Sequence, residues 1–72
     1  MNEYIIVERE DSGFSNTWTI KAKSLTSAKR QASIKQTCVN TCLYIYKKVA
    51  GELINIATRG PLERADSKWE TA

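Results

Sequence analysis

The run Thr17-Trp18-Thr19-Ile20-Lys21-Ala22-Lys23 alternates strictly between apolar and polar residues, and this pattern constrains the fold more than any other in the chain. Successive side chains of a strand point to opposite faces, so Trp18, Ile20 and Ala22 share one side while Thr17, Thr19, Lys21 and Lys23 share the other. Such a strand needs one face covered and can leave the other to water. A second β-rich run, Tyr4-Ile5-Ile6-Val7, precedes it, and the connection holds Asp11, Ser12, Gly13, Ser15 and Asn16, all turn formers. Together the two runs predict an antiparallel hairpin.

What covers the apolar side follows in sequence. Ser24 has the side chain of an N-cap, able to accept an orphan amide hydrogen bond near Thr26 or Ser27. From Leu25 to Gln36 the residues suit a helix, with Leu25, Ala28, Ala32 and Gln36 on one narrow stripe. The small residues of that stripe let a helix lie close to a sheet. Ser27, Arg30, Gln31 and Ile34 fall on the opposite face, with Lys29 and Lys35 flanking the stripe. Ile34 is therefore an aliphatic residue directed away from the core.

After a connection over 37–41, Cys42-Leu43-Tyr44-Ile45-Tyr46-Lys47 is the second strong strand signal. Leu43 and Ile45 share one face and Cys42, Tyr44 and Tyr46 the other. Which set lies under the helix stays open, since a one-residue slip of register exchanges them. In Val49-Ala50-Gly51-Glu52 the glycine suits the positive φ of a tight hairpin, and Leu53-Ile54-Asn55-Ile56-Ala57 is the return strand. Gly60-Pro61 ends it, and Trp69 in an otherwise polar tail reads as a short docked edge segment. The order predicts an α+β fold with an antiparallel sheet of four to five strands and one helix packed on one face (β-β-α-β-β, the fifth strand being a short last one). One domain over 1–72 is expected, with the tail 62–72 loosely docked. The sheet face away from the helix must meet solvent, loops or a partner.

A chain of 72 residues leaves no room for a core and a deep substrate pocket together, and it contains no histidine, the commonest general base and metal ligand. It has no nucleophile elbow, no glycine-rich phosphate loop and no HExxH. Glu8, Glu10, Asp11 and Glu52 lie in turns or near strand ends and read as solvated surface charge. No catalytic residue, no cofactor and no metal is expected, and the protein is read as not an enzyme. Cys38 and Cys42 are spaced for neither a redox pair nor half a zinc site, and read as small, partly buried hydrophobes kept reduced in a cytosol. No apolar run approaches the roughly 18 residues of a membrane span, and the start lacks the basic-then-apolar pattern of a signal peptide, so no membrane association is expected.

The net charge of +3 is unevenly spread. Lys21, Lys23, Lys29, Arg30, Lys35, Lys47 and Lys48 all fall within residues 21–48, and no acid falls there. An acid-free basic block points to a polyanionic partner or to a protein that grips one. Two classes of function follow. In a small nucleic-acid-binding protein, Trp18, Tyr44 and Tyr46 would stack on bases beside the cations. In a protein-binding module, Ile34 would anchor an interface on a basic helical face.

Tyr4-Ile5-Ile6 near the start, Ala22, Ser24-Leu25, Ala28-Lys29-Arg30, Ala32-Ser33, Gln36, the hairpin glycine Gly51 and Lys68-Trp69 near the end together resemble the ninth family of type I-F anti-CRISPR proteins. The likeness runs over most of the chain and is dense from Ala22 to Gln36. It implies an inhibitor that binds the repeated backbone subunits of the type I-F surveillance (Csy, or Cascade) complex and blocks hybridisation of target DNA to the guide RNA. It further implies a draw on non-specific double-stranded DNA, a phage protein working in the cytoplasm of a bacterial host cell, and a monomer when free. Lys29, Arg30 and Gln36 match the family motif and inherit an interface role from it, as does Lys68 in the tail. Ile34 stands where the family has a lysine and Lys35 where it has an acid, which shifts the basic contact by one position and places both beside the same interface. The segment 59–67 is longer than the family's.

Overall fold

The computed structural model describes residues 2–10, 12–36, 41–61 and 68–71. Five strands and one helix follow one another along the chain: β1 (Asn2–Arg9), β2 (Ser15–Ala22), α1 (Leu25–Lys35), β3 (Cys42–Val49), β4 (Glu52–Arg59) and β5 (Trp69–Thr71). All neighbours in the sheet are antiparallel, in the order β2-β1-β3-β4-β5. The architecture is α+β, with the helix inserted between the second and third strands.

Two tight hairpins build the sheet. β1 pairs β2 without interruption from Asn2↔Ala22 to Arg9↔Ser15. β3 and β4 are joined by Ala50 and Gly51, whose φ angles of 52° and 85° are both positive. That geometry matches the right-handed twist of the flanking strands, and Gly51 adopts it freely while Ala50 is strained by its Cβ. β1 then unites the hairpins by pairing β3, with Ile6 opposite Ile45 and Glu8 opposite Leu43.

That register settles the face left open by the sequence. Tyr4, Ile6, Ile20, Ala22, Leu43, Ile45 and Ala57 are buried together with Ala28 and Ala32 of α1. Tyr44 and Tyr46 lie on the opposite, helix-free face, beside Val7 and Ile5 respectively. An eleven-residue helix is marginal on its own, so α1 depends on docking. Its two alanines, both fully buried, allow its backbone to approach the sheet closely. Ser24 caps the N-terminus as the sequence predicts: its side chain accepts a hydrogen bond from the Ser27 amide at 3.3 Å, and its carbonyl accepts the first helical bond from Ala28 at 3.0 Å.

Two features depart from the sequence reading, and a third goes beyond it. First, Glu8 is wholly buried rather than solvated, because β1 runs on to Arg9 and Glu8 continues the inward row of Tyr4 and Ile6. Thr41, also fully buried, donates to Glu8 Oε2 at 2.7 Å. Second, Gln36 ends the helix as its C-cap and does not belong to its last turn. Its Nε2 donates to the Thr41 carbonyl at 3.1 Å and to Thr41 Oγ1 at 3.0 Å, tying the helix end to the start of β3. Third, the β3–β4 register shifts between Ile45 and Tyr46. The Asn55 side chain serves the carbonyls at this bulge, donating to Ile45 at 3.2 Å and Ala57 at 3.1 Å, while Thr58 donates to Asn55 Oδ1 at 3.3 Å.

Of the expected tail segment, Trp69–Thr71 is the short edge strand β5, paired with β4 through Ala57↔Thr71 and Arg59↔Trp69. The rest of that segment, 62–67 and 72, lies outside the described residues, as do Cys38 and Asp11. Among the described residues no helix is long and apolar enough to cross a membrane.

Candidate functional site

α1 packs chiefly on β2 and β3, and among the described residues a gap separates it from the β4–β5 side of the same sheet face. Arg59 stands on that side, between Leu43 and Trp69 in the register, so the Arg59 and Trp69 side chains rise on the face that carries the helix. The space between them and the helix is a shallow groove of about 540 Å³ lined by Thr26, Lys29, Arg30, Ser33, Ile34, Arg59 and Trp69. Its walls are mainly apolar.

Two hydrogen bonds fix the groove across its width. Arg59 Nη1 donates to Ser33 Oγ at 2.7 Å, and Lys29 Nζ donates to Thr71 Oγ1 at 3.1 Å. Each joins the helix to β4 or β5 through a long cationic side chain. Three cations line the groove, and no acid is among the described lining residues. Ile34 is 77% exposed at its rim, the most exposed large hydrophobic residue described.

The residues singled out in the sequence divide accordingly. Lys29, Arg30 and Ile34 come together in the groove. Lys35 and Lys68 are exposed and lie outside its lining. Gln36 points its amide into the fold, to Thr41, and serves the helix end. The sequence reading missed Arg59 as a site residue. The signal was present in the pairing it did expect, since a strand carried on from Ala57 to Arg59 puts that guanidinium level with a docked Trp69.

The helix-free face forms a second surface. There Tyr44 and Tyr46 are half-buried in a row with Ile5, Val7 and Asn55, and Arg9 and Lys21 share the side. The Tyr44 phenol titrates above its ordinary value near 10, chiefly because burial disfavours the phenolate. Neighbouring Cys42 pushes in the same direction and Arg9 opposes it. At the end of this face Arg9, Glu10, Gly13, Phe14, Ser15, Cys42 and Tyr44 line a smaller hollow of about 270 Å³. Among the described residues no three Cys, Asp or Glu side chains cluster as metal ligands would.

The chain matches no protein-family model, no curated protein and no solved structure in the comparisons made.

Proposed function

We propose that the protein is an anti-CRISPR inhibitor that binds the backbone subunits of a type I-F surveillance complex and blocks pairing of target DNA with the guide RNA. It acts in the cytoplasm of a bacterial host cell, as a free monomer, without catalysis, cofactor or metal. The sequence motif from Ala22 to Gln36 underlies this reading. One structural observation carries it further: Lys29 and Arg30 of that motif stand with exposed Ile34 along one groove, on a helix whose core contacts are made by Ala28 and Ala32. The residues assigned to binding thus lie on a different side of α1 from Ala28 and Ala32, which supports a role for the groove in meeting a partner. A blocker needs one rigid face and no pocket for turnover, which suits a domain of this size.

Association with a purified type I-F surveillance complex tests the proposal. Wild-type protein should co-purify with the complex and exclude target DNA. Arg30→Glu combined with Ile34→Ser should abolish both effects while leaving the fold intact, because both residues are exposed. Gln36 is unsuited to this test, since its bonds to Thr41 belong to the fold. A lack of association with the complex, with and without target DNA, refutes the reading.

The helix-free face favours a second reading, a small phage-type nucleic-acid-binding protein with no CRISPR role. Tyr44 and Tyr46 with Arg9 and Lys21 combine stacking surfaces with cations on an open sheet. Under it the free protein binds DNA with a steep salt dependence, and Tyr46→Ala or Lys21→Gln weakens that binding.

A further inference from the structure

We infer that the groove between α1 and the β4–β5 edge is a docking cleft for an acidic protein segment carrying an apolar side chain. The partner's aliphatic or aromatic group seats against Trp69 and Ile34, and an adjacent carboxylate is taken by Arg59 and Arg30. The inference deepens the proposed function, whose partner is a protein complex, by naming the chemistry of the surface that this groove accepts.

Charge complementarity selects the anion. Lys29, Arg30 and Arg59 line the groove, and no acid among the described lining residues neutralises them. Arg59 is the most specific of the three. Among the described residues its only side-chain hydrogen bond goes from Nη1 to Ser33; its Nε is enclosed, which leaves the Nη donors to meet a ligand. A guanidinium offers five donors in a rigid fork. The Nη donors that Ser33 leaves unused, with Arg30 across the same groove, suit the oxygens of a carboxylate.

Apolar surface selects a protein over a nucleic acid. Ile34 is 77% exposed on the rim, so most of its side chain meets solvent. A phosphate backbone gains nothing from an aliphatic side chain, whereas a partner's apolar residue buries it. Trp69 supplies a half-buried floor. Tryptophan and arginine are the residues that most often dominate protein interfaces, in central pockets ringed by weaker contacts. Here an indole and a guanidinium sit side by side in paired strands, held from opposite directions by β4 and by the helix.

The full-length, ¹⁵N-labelled protein titrated with a synthetic peptide tests this. The peptide is acetylated, amidated and carries two leucines flanked by glutamates. Saturable shifts are expected at Thr26, Ser33, Ile34, Arg59 and the Trp69 indole. A control with glutamine for every glutamate should bind about tenfold more weakly, the effect of losing two or three exposed ion pairs. Ile34→Ser should weaken the acidic peptide about fivefold or more, and Arg30→Gln should narrow the difference between the two peptides. Both substitutions are at exposed positions, so neither confuses lost binding with lost folding. Absent shifts, shifts confined to the helix-free face, or equal affinity for the glutamine peptide overturn the inference. So does tighter binding of a single-stranded oligothymidine in the same groove. Association with the surveillance complex is read separately. Complex binding without peptide binding refutes only the docking cleft, and peptide binding without complex association refutes only the anti-CRISPR reading.

Discussion

Replacing Thr41 by valine removes one hydroxyl of nearly unchanged shape from the interior, and the cost follows from the bonds it makes. Oγ1 donates to Glu8 Oε2 at 2.7 Å and accepts from Gln36 Nε2 at 3.0 Å. Thr41 and Glu8 are both wholly inaccessible to water, so solvent cannot replace either bond. A hydrogen bond to a carboxyl group contributes about 1–3 kcal/mol, and the amide bond about 1 kcal/mol. The second loss is softened because Gln36 Nε2 keeps the Thr41 carbonyl at 3.1 Å. Thr41→Val should therefore cost about 2–3 kcal/mol, from a total near 4–11 kcal/mol expected of a chain this long. At roughly 4–8 °C per kcal/mol the melting temperature should fall by about 10 °C or more. Thermal unfolding followed by circular dichroism reads the shift, and urea unfolding should give a lower midpoint with an unchanged slope. Glu8→Gln, alone and paired with Thr41→Val, closes a double-mutant cycle whose coupling should be about 1 kcal/mol or more. A melting point within about 2 °C of wild type, or additive single effects, would refute the buried link between the end of the helix and β1.

The other expectations concern single elements. Tyr44 has a raised folded-state pKa, so the neutral phenol is favoured by the fold and its stabilisation is complete below pH 10 and lost as pH rises through the higher folded value. Unfolding measured from pH 8 to 12 should show this decline, and Tyr44→Phe should reduce it. Ala50, with φ at 52°, should become more stable by about 0.5–1 kcal/mol on substitution by asparagine, which tolerates that conformation; a loss of stability in chemical denaturation would contradict the hairpin geometry. Ser24→Ala removes the cap on the Ser27 amide and should cost about 1 kcal/mol, read in the same assay.

The legible parts of the fold were those whose pattern repeats. Strict alternation located β2, and the paired small residues Ala28 and Ala32 announced a helix lying close to a sheet. The direction of Ile34 followed from the same helical spacing, and the structure leaves it exposed. Alternation alone could not choose between the two faces of β3, because burial depends on which strand it meets. Pairing with β1 made that choice, setting Ile6 against Ile45. Glu8 was misread for a related reason: a carboxylate near a strand end is usually wet, and only the inward row begun by Tyr4 and Ile6 marks it as buried. The bulge opposite Ile45 has no local signature beyond Asn55, whose value there comes from bonds across the sheet. The groove was half legible. Its helical wall lay in one short motif, but Arg59 and Trp69 are brought to it by strand pairing between segments far apart in sequence.

The place of β1 inside the sheet, between β2 and β3, has a consequence for the order of folding. Each hairpin closes over a short stretch of chain and can form within microseconds. Their union requires Arg9 to find Cys42 and Ile5 to find Tyr46, across the whole intervening helix. Loop-closure entropy must be met before that pairing returns any stability, so the joining of β1 to β3 is the expected bottleneck. The seat for Ala28 and Ala32 is completed only when both hairpins meet, since the helix packs on β2 from one and β3 from the other. The groove beside α1 should thus be among the last parts to form, and an incompletely joined chain would present its basic helix without the wall that Arg59 and Trp69 provide.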